Sequence, residues 1–72
     1  MTKKQMAAEC ARLAPDFRMT FDSPGKVDTV TATCTTPDGP LVLAMVVGGL
    51  GRAAVETRLL EAALARLRKK AA

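Results

Sequence analysis

Thr2-Lys3-Lys4-Gln5 opens the chain with a capping-box pattern, in which a Thr hydroxyl and a Gln side chain satisfy each other's free backbone N–H groups at a helix start. Apolar residues then recur at Met6, Cys10, Leu13 and Ala14, the spacing of one helical stripe, until Pro15 and Asp16 end it. From Phe17 the period falls to two. Phe17, Met19 and Phe21 take one side and Arg18 and Thr20 the other, which predicts a half-buried strand. Asp22-Ser23-Pro24-Gly25-Lys26 gathers turn formers, so the chain should reverse there.

A second strand is predicted over Val27 to Thr36, with Val30, Ala32 and Cys34 inward and Thr29, Thr31, Thr33 and Thr35 as an outward row of β-branched hydroxyls. Thr36 to Pro40 forms the next turn. Leu41 to Val47 reads as a third strand, with Leu41, Leu43, Met45 and Val47 on one face and Val42, Ala44 and Val46 on the other. Gly48, Gly49 and Gly51 break it. From Ala53 to about Lys70, the positions Val55, Leu59, Leu60, Ala63, Leu64 and Leu67 give the broad stripe of a core-facing helix, acidic early and basic late. The order αβββα with tight reversals predicts an α+β fold: a three-stranded antiparallel sheet with both helices on one face. Phe17, Met19, Phe21, Val30, Ala32, Cys34, Leu41, Leu43 and Met45 are expected to line that face.

The outward sheet face then consists of Arg18, Thr20, Thr29, Thr31, Thr33, Thr35, Val42, Ala44 and Val46, nearly without charge. Monomers usually cover such a face with Lys and Glu, so this one is expected to meet a homodimer mate or another partner. It holds no aromatic residue, which argues against a single-strand RNA reader stacking bases on a sheet.

Composition narrows the chemistry. With 72 residues the chain is expected to form one domain over 1–72, and a chain this small buries only roughly 60% of its unfolded surface, so a second chain would complete a marginal core. It has no His, and Ser23 is its lone Ser. The carboxylates Glu9, Asp16, Asp22, Asp28, Asp38, Glu56 and Glu61 show no paired spacing, so no catalytic residue, metal or cofactor is expected. Cys10 and Cys34 lie outside any metal-ligand spacing and in apolar registers, as buried reduced thiols of a cytoplasmic protein would. Glu9 and Arg12 interrupt what would have to be the apolar core of a signal peptide, and the longest apolar run, Leu41 to Gly51, is too short to span a membrane.

The net charge of +4, from 11 Lys and Arg against 7 Asp and Glu, gathers at Lys3 and Lys4 and again at Arg66, Arg68, Lys69 and Lys70. Such clusters attract phosphate backbones or acidic protein faces. Gly48-Gly49-Leu50-Gly51-Arg52 sets a guanidinium at a helix start, but lacks the Lys-Ser/Thr of a nucleotide loop.

The whole chain resembles a double-stranded-RNA-binding domain in element order and length. Lys4 to Cys10 is similar to that family's first helix, which implies Glu9 as a minor-groove reader. Pro15-Asp16-Phe17 resembles its Pro-x-aromatic lead into the first strand. Pro24-Gly25-Lys26 occupies its second minor-groove loop, with Lys26 where a His is usual. Gly49-Leu50-Gly51-Arg52 resembles its Gly-x-Gly turn into the second helix, and Glu61 to Leu67 its Ala-rich helical ending. The departure is at the second helix's opening. The family's Lys-Lys-x-x-Lys phosphate clamp is replaced by Arg52-Ala53-Ala54-Val55-Glu56, and Arg58 restores one cation at most. Two functions follow as expectations. The first is a non-enzymatic module that contacts nucleic-acid backbone, duplex RNA above all, through Lys3, Lys4, Lys26, Arg52 and Arg58, with Glu9 in the minor groove. The second is a degenerate version of that fold acting by protein–protein contact, as a homodimeric phage or mobile-element accessory protein or an inhibitor of a host complex would.

Overall fold

The computed structural model describes residues 1–71, ordered as α1 (Lys3–Leu13), β1 (Arg18–Asp22), β2 (Thr29–Thr36), β3 (Gly39–Val46) and α2 (Arg52–Ala71), with 3-10 turns at Pro24–Lys26 and Gly48–Leu50. The capping box forms: Thr2 Oγ1 accepts from the Gln5 N–H at 3.1 Å, and the Thr2 N–H donates to Gln5 Oε1 at 2.8 Å. Pro15 has no N–H to continue α1 and disfavours helical geometry at Ala14, which is extended and closes the last turn by donating to Cys10 O at 2.8 Å.

The strands form one antiparallel sheet in the order β1-β2-β3. β2 and β3 are joined by a two-residue loop, Pro37-Asp38, which Thr36 holds: its hydroxyl donates to Gly39 O at 2.7 Å and accepts from the Asp38 N–H at 3.2 Å. Gly39 takes φ +118°, where a side chain would be strained. Between β1 and β2 the chain turns through Gly25 and Lys26, both left-handed at φ +60° and +68°, and Ser23 Oγ donates to Asp28 Oδ1 at 2.6 Å across the loop.

Both helices lie on the sheet face that the alternation predicts. Met6, Cys10 and Ala14 of α1's side pack with Cys34 and with Leu60, Ala63, Leu64 and Leu67 of α2. Val30, Ala32, Val47, Val55 and Leu59 form a second cluster, and Phe17, Met19 and Leu43 touch both. The thinnest extent is 16 Å, the depth of one sheet and one helix layer, so none of the described residues forms a layer over the outer sheet face.

Several details differ from the sequence expectation. β2 begins at Thr29, leaving Val27 outside the sheet and 47% exposed. β3 begins at Gly39, because the two-residue loop pairs Thr36 with Gly39, and ends before Val47, which is nonetheless buried. α2 begins at Arg52. Phe21 points to the helix side but remains 39% exposed. It stands at the end of an edge strand, where the Arg52 guanidinium lies over its ring at 4.3 Å from the centroid.

Candidate functional site

The register turns the outward sheet positions into ordered rows. Arg18, Thr33 and Val42 form one row, Thr20, Thr31 and Ala44 the next, and Asp22, Thr29 and Val46 the third; Thr35 pairs with Pro40 beyond them. Asp22, a turn residue on sequence grounds, thus belongs to this face. The Arg18, Thr20 alternation already pointed there, but the turn signals that follow Asp22 masked it. Val42 is 61% and Val46 56% exposed.

Three of the Thr hydroxyls are engaged within the chain. Thr29 Oγ1 donates to Val27 O at 3.3 Å, Thr33 Oγ1 accepts from Arg18 Nε at 3.3 Å, and Thr35 Oγ1 donates to Asp16 Oδ2 at 2.6 Å. Asp16 also accepts the Thr35 N–H at 3.0 Å, and these two bonds, the hydroxyl first, hold its carboxyl below the usual range. A hydroxyl already bonded within the chain costs less to cover than a free one. The face is therefore less polar than its five threonines suggest.

The residues expected to touch nucleic acid are dispersed and partly neutralised. Lys3 and Arg52, from the starts of the two helices, converge on Glu56, which takes the Lys3 ammonium on one oxygen and Arg52 Nε at 3.4 Å on the other. The Lys3 bond, more than Arg52, holds the Glu56 carboxyl below its ordinary value. Glu9, the expected minor-groove reader, is occupied by Arg12 one turn on, whose Nε donates to it at 2.8 Å; that hydrogen bond lowers the Glu9 pKa. Lys4 is exposed and, with Lys3, Ala7, Phe17, Met19 and Leu60, borders an open apolar groove of about 460 Å³. Lys26 and Arg58 are exposed, on the β1–β2 turn and on α2, and no ion pair ties either of them to the Glu56 centre among the described residues.

At the far end of α2, Lys70 Nζ donates to Asp38 Oδ2 at 2.8 Å, pinning the β2–β3 loop and holding that carboxyl low. Cys10 and Cys34 are both buried and unbridged, and burial pushes both thiols up, which makes them poor nucleophiles. Among the described residues no three His, Cys, Asp or Glu side chains gather as a metal ion would require. No helix among them is long and apolar enough to cross a membrane. No family model, no curated protein and no solved structure matches the chain.

Proposed function

We propose that this chain is a non-enzymatic interaction module that works through protein–protein contact at its outer sheet face, first of all with a second copy of itself. The observation that carries the reading is that face: three cross-strand rows of Thr, Ala and Val with Arg18 and Asp22 at the β1 ends of the outer two, Val42 and Val46 more than half exposed, and no helix among the described residues over them. Covering apolar area is the main driving force of association, and a contiguous weakly charged patch of this kind is typical of contact surfaces rather than of solvated ones. Sedimentation equilibrium from low to high micromolar concentration tests it. Mass should rise from 7.6 kDa towards twice that value. A 7.6 kDa species at every concentration overturns the reading.

Contact with nucleic-acid backbone is a second reading, favoured by the exposure of Lys4, Lys26 and Arg58 without carboxylate partners among the described residues. It is weakened by the use of Lys3, Arg52 and Glu9 in ion pairs within the chain. Filter binding to duplex RNA decides it: retention at low salt that falls steeply as salt rises supports backbone contact, and no retention at low salt excludes it.

A further inference from the structure

The outer face carries opposite charges at the two ends of one strand. Arg18 and Asp22 both point outward from β1, four residues apart, which places them about 13 Å from each other along the strand. Thr20 lies midway between them, in the same row as Thr31 and Ala44. Val42 shares the row of Arg18, and Val46 that of Asp22. About the middle row, Arg18 and Asp22 are therefore opposite in charge, while Thr33 matches Thr29 and Val42 matches Val46.

We propose that two copies stack these faces about a two-fold axis that runs across the strands over the Thr20, Thr31, Ala44 row, so that Arg18 of each copy meets Asp22 of the other. This deepens the self-association reading and rests on it. Rotation about such an axis lays β1 antiparallel on the second copy's β1 and β3 on its β3. Arg18 then faces Asp22 twice, Val42 faces Val46 twice, and each residue of the middle row faces its own counterpart, as an isologous interface requires. Stacked sheets stand about 10 Å apart, a distance that Arg and Asp side chains can bridge.

The other two-fold lying in the sheet plane runs along the strands. It would lay β1 on the second copy's β3, pressing Arg18 against Val42 and Asp22 against Val46. All the charges would then lose water without gaining partners, which is costly. Charge complementarity thus selects the axis across the strands. The side chains are disposed for it. Arg18 lies over the sheet with its Nε on Thr33, and Asp22 spends one oxygen on the Ser23 N–H at 2.8 Å, keeping the second for a partner.

Charge reversal tests the pairing. Arg18→Asp and Asp22→Arg are prepared singly, as an equimolar mixture, and together in one chain, and mass is read by sedimentation equilibrium with circular dichroism as the check on folding. Each single variant places like charges opposite each other twice, and its dissociation constant should rise about tenfold or more. The mixture and the double variant restore both opposite-charge pairs and should return to within about threefold of the unaltered chain. If the single variants associate as the unaltered chain does, or if neither the mixture nor the double variant recovers association, the axis is wrong while self-association stands. If the unaltered chain is monomeric throughout, the self-association reading itself fails. A single variant that does not fold leaves the decision to the double variant, whose recovery supports the pairing and whose failure overturns it.

Discussion

Replacing Val42 and Val46 together by Lys should abolish self-association and leave the folded monomer intact. The magnitude follows from exposure. Complete burial of a valine side chain is worth about 1.5 kcal/mol at the lower end, and these two retain 61% and 56% of their surface in the single chain. Covering what remains is worth about 0.8–0.9 kcal/mol per side chain, and about 3–3.5 kcal/mol for the four valines of a dimer. At about 1.4 kcal/mol per factor of ten, their loss weakens association by more than two powers of ten, before counting the lysine charges that each copy adds to a net charge already at +4. Sedimentation velocity reads the association, and thermal melting by circular dichroism at low concentration reads the fold. Unchanged association would show that these valines lie outside the interface. An unfolded variant would show that the face belongs to the chain's own core. Either result refutes the reasoning.

Leu59, 2% exposed in the cluster with Val30, Ala32, Val47 and Val55, gives the converse case: Leu59→Ala should cost about 2–5 kcal/mol out of the roughly 4–11 kcal/mol typical of 72 residues, and lower Tm by about 10 °C or more at any concentration. Acid should also destabilise the chain. Asp16, Asp38, Glu9 and Glu56 all have carboxyls held below their ordinary values of 3.8 and 4.5 in the folded state, so the stability they add is complete above those values and is lost as pH falls through the lowered ones. Tm followed from pH 6 downward should be flat at first and then fall below about pH 4.5, less steeply in Asp16→Asn, and a Tm that rises on acidification would contradict the assignments. Cys10 and Cys34, 0% and 5% exposed, should react with a thiol reagent about a hundredfold or more slower in the folded chain than in urea, and two thiols should titrate after unfolding.

The layout of helices and strands was legible because local signals agreed with one another. The Thr2/Gln5 box fixed one helix start, the alternation in Phe17 to Phe21 and Val30 to Cys34 fixed which side of the sheet meets the helices, and the stripe from Val55 to Leu67 fixed the buried face of α2. What was not legible depends on tertiary distance. Alternation assigns Phe21 a side, but not how far the helix layer reaches over it. No sequence spacing joins Lys3 to Glu56, 53 residues on, yet that contact occupies one of the cations on which a phosphate-binding reading leaned, whereas Arg52 meets Glu56 at the i,i+4 spacing of a helix. Asp16 reads as a helix stop, and only the β1–β2 register brings it to Thr35. The charge symmetry of the outer face likewise needs the register, since it rests on which row of β3 stands beside Arg18 and which beside Asp22.

The claim that two copies meet through the outer sheet face is tested most directly at Thr31, which lies on the row the axis crosses and so faces its own counterpart. Cys10 and Cys34 are buried and do not compete with a thiol placed on the surface. With a thiol-to-thiol cross-linker whose reach matches the roughly 10 Å between stacked sheets, Thr31→Cys should form a covalent dimer about tenfold or more faster than Glu61→Cys, which puts a thiol on the exposed surface of α2. Equal rates for the two variants, or no covalent dimer from Thr31→Cys, would contradict the account.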